Sequence, residues 1–156
     1  MSFDSPEITP DSDHHTLQIY NPSGYTLPVR TEKLQYLLNE IEKGEKVKFS
    51  LLEVVYVNED EILRINKEHL SKDYITDIIT FRYDEENLHS LEATLYCCAP
   101  RIAEQSAEYC TSHEQEFYRV FIHGLLHLAG YNDQSAIEKE KMTELENHYL
   151  DLLTEV

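Results

Sequence analysis

The sequence predicts an α+β fold: a small mixed four-stranded sheet with about five to six helices packed on it. Three observations carry this. The 156 residues, 41% of them hydrophobic, suit a single core. Strand-like and helix-like stretches alternate through the middle of the chain. From Glu114 onward every apolar pattern is helical.

Taken in order, residues 1–15 are polar and acidic and are expected to be disordered, leaving 16–156 as one domain. "LQIYNPSGYTLP" places a turn at NPSG between two short extended pieces. Thr31 has the chemistry of an N-cap; Leu34, Leu37, Leu38 and Ile41 follow at helical spacing, and Gly44 is placed to end that helix. Val47, Phe49 and Leu51 alternate, and "LLEVVYV" continues as a strand. Asn58 with Glu61 resembles a capping box ahead of the helix "EDEILRINKEHL". "TDIITFRY" and "ATLYCC" are the remaining strands, and Pro100 opens the helix "PRIAEQSAEYC", which would include Cys110. Glu114–Ala129 and residues 136–153 are the last two helices, the final one buried through Met142, Leu145, Tyr149 and Leu152. In that last helix Glu138, Glu140 and Glu144 alternate with Lys139 and Lys141 as a solvated face.

Composition excludes several classes of function. No apolar run reaches membrane-spanning length. The start "MSFDSPEITPDSDHH" lacks the basic and apolar stretches of a secretory signal, so a cytoplasmic protein is expected. Cys97 and Cys98 point to opposite faces of a strand and fit the role of small buried hydrophobes in a reducing compartment. The net charge of −17 argues against non-specific nucleic-acid binding over the whole surface, and no DNA partner is expected. A local basic groove would draw on Lys67, Lys72, Arg82 and Arg119. His14 and His15 lie in the start, and His69, His89, His113 and His148 read as isolated surface residues.

The segment "FIHGLLHLAGYNDQS" holds the chemistry. His123 and His127 share one helix face, where two imidazoles can converge on one ion. Gly130 can adopt the positive φ that stops a helix, and the returning chain carries Asp133 back toward the histidines. His, His and Asp make a three-ligand set for Zn²⁺ with a fourth position open. The spacing matches the metzincin peptidases, but their general base follows the first histidine, and Gly124 stands there.

"HGLLHLAGYND" more closely resembles the H-G-x-L-H-L-x-G-Y-D-H signature of the YbeY family of rRNA maturation endoribonucleases, where glycine is the expected residue. "INKEHLSKDYITDIITF" resembles a second family segment, with Asn66, Lys72, Asp73, Thr76, Asp77 and Phe81 coinciding, and the likeness runs from about Leu27 to the C-terminus. The resemblance implies an α+β fold, one zinc ion per chain, cleavage of single-stranded RNA, maturation of the small-subunit rRNA 3′ end and a role in ribosome quality control. Its implied partners are rRNA and the ribosome or a ribosomal protein. This sequence departs from the family at three places: Asp133 replaces the third histidine, Leu70 a phosphate-binding arginine, and Ala93-Thr94 a Gly-Asp pair.

The metal ligands expected from these readings are His123, His127 and Asp133, with other divalent ions possible at such a set. Asp77, as a partner of a histidine, and Lys72, as a replacement for the lost arginine charge, are the candidates for supporting catalysis. The rivals to a metal-dependent endoribonuclease are a ribosome-assembly binding protein with a structural metal and weak or lost nuclease activity, and a metzincin-like peptidase.

Overall fold

The computed structural model describes residues 16–83 and 89–155; the expectations for 1–15, with His14 and His15, lie outside the described residues. The chain runs β1 (Leu17–Tyr20), α1 (Thr31–Glu45), β2 (Phe49–Val57), α2 (Glu59–Leu70), β3 (Ile78–Arg82), β4 (Leu91–Cys98), α3 (Ala99–Glu108), α4 (His113–Leu128) and α5 (Ala136–Leu152), with a 3₁₀ turn at Leu153–Glu155. The strands form one sheet in the order β1-β2-β4-β3, parallel except where β3 runs antiparallel to β4. This is the mixed four-stranded α+β arrangement expected. No helix among the described residues is long and apolar enough to cross a membrane.

The two sheet faces carry different loads. Leu52, Val54 and Tyr56 of β2 and Leu91, Ala93, Leu95 and Cys97 of β4 join the main core with α1, α3, α4 and α5. The alternate residues Val57, Ile79 and Cys98 meet Ile62 and Ile65 of α2 in a smaller cluster on the opposite face. Cys97 and Cys98 therefore serve two cores, and burial raises both thiols, Cys98 to about 11. They stay neutral and pack.

Local details correct the sequence reading. The expected alternation Val47, Phe49, Leu51 breaks at a register shift between Phe49 and Leu51, so the buried phase passes to Leu52. Arg30, not Thr31, is the N-cap of α1. Gly44 lies inside α1, and the left-handed residue that ends it is Lys46, φ 58°. Gly44 is needed for a different reason: a Cβ there would collide with the Tyr149 hydroxyl. Of the capping box at α2 only half forms, because Asn58 accepts from Glu61 N–H at 3.0 Å while the Glu61 carboxylate turns to Arg64. Cys110 lies past the end of α3, exposed and with φ 57°. The piece after NPSG joins no strand; Tyr25, Leu27 and Val29 pack against the main core instead.

Candidate metal centre

α4 begins at Ser112, whose side chain accepts from Gln115 N–H, and it ends as its sequence predicts. Gly130 adopts φ 116°. Its N–H donates to His127 O (3.0 Å) and Tyr131 N–H donates to Leu126 O (3.0 Å), the paired bonds of a Schellman stop. The chain doubles back and delivers Asp133. The His123 and His127 Nε2 atoms are 3.0 Å apart, and Asp133 Oδ2 lies 3.4 Å from the first and 3.5 Å from the second. The three residues form a cluster able to hold a metal ion.

Hydrogen bonding dictates the tautomers. His123 Nδ1 lies 2.6 Å from Glu146 Oε2 and His127 Nδ1 lies 2.9 Å from Tyr131 O. A carboxylate and a carbonyl can only accept, so both Nδ1 atoms donate. Each neutral ring then has a bare lone pair on Nε2. Two such lone pairs meet at 3.0 Å beside a carboxylate oxygen. That arrangement requires a positive charge between them, either a proton or a cation. Tetrahedral ligands held about 2.0–2.1 Å from a zinc ion lie about 3.3 Å from one another, close to all three separations here. The residues fit the ion.

Glu146 was not among the residues singled out from sequence. It sits on α5, 7% exposed, between His123 and Arg119, whose Nη1 donates to Glu146 Oε1 at 2.9 Å. The signal was a carboxylate on the buried stripe of α5, four residues after Met142 and three before Tyr149. Burial acts to lower the His123 pKa, but the Glu146 hydrogen bond and the charges of Glu146, Asp77 and Asp133 outweigh it and leave it raised. Tyr131 supports the other histidine: its carbonyl accepts from His127 Nδ1–H while its hydroxyl donates to Glu45 at 2.7 Å.

Asp77 stands at the start of β3 and lines the cleft with the histidines, but its Oδ2 accepts from Gln105 Nε2 (3.1 Å) and its carbonyl accepts from Cys98 N–H (2.8 Å). The carboxylate that pairs with a histidine is Glu146. Gln105 also donates to Glu116 Oε2 at 3.3 Å, and burial, only partly offset by Arg119, raises the Glu116 pKa. Two clefts meet at His123 and Asp133. One of about 600 Å³ is lined also by His127, Lys72 and Leu70, and one of about 300 Å³ also by Arg119 and Glu146.

The basic residues considered for a groove are scattered by the fold. Arg119 is committed to Glu146 and Asn147, Lys67 lies 3.6 Å from Asp73, and Arg82 reaches Leu128 O at 3.5 Å. Lys72 lines the larger cleft and makes no ion pair with another described residue. Leu70 lines the same cleft, so the position expected to carry an arginine does face the cluster. Thr94 does not. It is 1% exposed on the α2 side of the sheet, bonded to Tyr83 and Glu53. Gly124 packs against the sheet, where a Cβ would come within 2.7 Å of Ile78 Cδ1 and 3.1 Å of Leu95. A side chain there would have to displace these methyl groups, and Gly124 itself offers no carboxylate, so the general base of the peptidase motif is missing. His69, His89, His113 and His148 are exposed.

Fold and site together define a small α+β protein whose cleft holds a histidine–carboxylate cluster on a helix and its exit turn. Residues 25–154 match the family model described as Endoribonuclease YbeY, and the chain belongs to that family. The Endoribonuclease YbeY of Chloroherpeton thalassium is 39% identical over 122 residues, 78% of this chain and 85% of that one. That of Chlorobium phaeobacteroides is 35% identical over 138 residues, 88% of this chain and 97% of that one. A solution structure of a Thermotoga maritima protein superposes with a TM-score of 0.61 at 30% identity, covering 86% and 87% of the two chains.

Proposed function

We propose that this protein is a cytoplasmic, zinc-dependent endoribonuclease that cuts single-stranded RNA. Its substrate is rRNA, at the 3′ end of the small-subunit RNA, and it works in ribosome quality control with the ribosome or a ribosomal protein as partner. The observation that carries the reading is the convergence of both Nε2 lone pairs and Asp133 Oδ2 on one point, with both Nδ1 protons engaged elsewhere. Family membership supplies the substrate class.

His123, His127 and Asp133 would hold the ion. When bound, zinc polarises a phosphoryl oxygen and acidifies a water. Glu146 holds the His123 ring in the tautomer that presents Nε2, and the Tyr131 carbonyl does the same for His127. Arg119, donating to Glu146 Oε1, orients the Glu146 carboxylate. Lys72, which lines the cleft, would meet a substrate phosphate. Asp77, held by Gln105 and lining both clefts, would take or give a proton.

Purified protein loaded with zinc should cleave single-stranded rRNA, and His127→Ala should abolish cleavage; equal residual cleavage by both would remove the enzyme reading. Metal content tests the ligands separately. Asp133→Ala should lose stoichiometric metal, and full occupancy in the variant would show that Asp133 is not the third ligand. One observation favours the ribosome-assembly alternative with a structural metal: Leu70 places an apolar side chain in the cleft where the resemblance leads one to expect an arginine.

A further inference from the structure

Six large hydrophobic side chains are notably exposed among the described residues, and three of them, Leu70, Tyr74 and Ile75, fall in one stretch of six. They are 40%, 53% and 40% exposed and belong to neither core cluster. The stretch is not slack. Ser71 takes a left-handed turn at φ 57°, Lys72 N–H donates to Asn66 O (3.1 Å), and Asn66 Nδ2 donates to Tyr74 O (2.8 Å). Asn66 is itself 1% exposed. A buried amide therefore braces a loop whose side chains face water at a cost.

Leu70 and Tyr74 line the same cleft as His123, His127 and Asp133, so this apolar rim is continuous with the metal cluster. Lys72 lies in that cleft too, and at −17 the chain has little general attraction for a polyanion. Binding of a strand here needs a contribution that is not ionic. An aromatic ring beside two aliphatic side chains offers one, because every base has a π-face to stack and a duplex conceals it.

We propose that Leu70, Tyr74 and Ile75 form a stacking subsite for one unpaired nucleobase flanking the phosphate at the metal cluster, with Lys72 taking the adjoining phosphate. The proposal rests on the RNA reading above. It makes single-strand preference a property of this rim and makes Tyr74 the residue that carries it. The rim is braced before any ligand arrives, so little ordering opposes binding.

Anisotropy of a short labelled adenylate RNA, titrated with the full chain across a salt series, tests this. Tyr74→Ala should weaken binding about 5- to 100-fold, the loss of one base stack, at every salt concentration and with an unchanged salt slope. Tyr74→Phe should bind as wild type does. Lys72→Ala should flatten the slope by about 0.7, one phosphate contact on a single strand, and Leu70→Arg should steepen it by about as much. Unfolding midpoints of the Tyr74 variants should match wild type, because the side chain is exposed. Unchanged affinity in Tyr74→Ala, with wild type binding normally, overturns the subsite and leaves the nuclease reading standing; the rim would then face a protein partner. No binding by wild type at any salt overturns both.

Discussion

Glu146 and Gly124 show how much single positions decide here. Glu146 is a buried carboxylate with two partners, His123 at 2.6 Å and Arg119 at 2.9 Å. An amide of the same shape keeps an acceptor but loses the charge that favours the Nδ1-protonated ring. Glu146→Gln should therefore lower zinc affinity about 10- to 100-fold, read by chelator competition, while the fold survives. An unchanged affinity would reduce Glu146 to a packing role. Gly124 lets α4 pack closely on Ile78 and Leu95. Gly124→Glu, which would build the peptidase motif, forces a charge into the packed face between α4 and the sheet. It should cost about 3 kcal/mol or more in urea unfolding, and a folded, stable variant would contradict the packing described.

Elements set the next scale. α4 supplies two of the three candidate ligands, its Schellman stop directs the third, and α5 supplies the brace. The stop depends on φ 116° at Gly130, where a Cβ would meet no atom within 4 Å, so the penalty of a side chain is purely one of backbone strain. Gly130→Ala should destabilise by about 1 kcal/mol and lower metal affinity by displacing Asp133. Calorimetry and metal titration should move together; a stability loss alone would separate the stop from the site. α5 starts with a full capping box, Ser135 and Glu138, and the N–H groups of Ser135 and Gln134 hold the Glu138 carboxyl below the usual range. Glu138 is thus a cap as well as a member of the solvated face. Ser135→Ala should cost about 1 kcal/mol of stability. At the far end, Glu45 accepts from both Tyr131 (2.7 Å) and Tyr149 (2.5 Å), tying the exit turn of α4 to α1 and α5.

For the whole molecule, acidity and burial meet at Glu116. It is 3% exposed, and burial raises its pKa. A carboxyl whose folded pKa lies above its unfolded value favours the folded state most when protonated. The stability it permits is present below the unfolded pKa and is lost as pH rises through the raised folded one. Glu116→Gln keeps an acceptor for Gln105 and removes the titration. The variant should gain on wild type as pH rises from the ordinary carboxylate range toward neutrality, with no further gain above; a difference independent of pH would show that burial is not the cause. The sheet and its helices were largely legible from period and turn residues, and so was the α4 motif. Helix pitch alone brings His123 over His127, and a glycine free to take the positive φ can turn the chain toward Asp133. What local pattern does not encode is which distant face packs where. The bulge that moves the buried phase to Leu52, the contact that makes Gly44 obligatory, and the pairing of His123 with Glu146 rather than Asp77 arise between segments far apart in sequence. The sequence by itself determined the fold class and the three candidate ligands, because spacing along one helix and its stop is local geometry. Only the tertiary structure decided their tautomers, their brace and the apolar rim beside them, because those depend on how α5, α3 and the loop after α2 pack around α4.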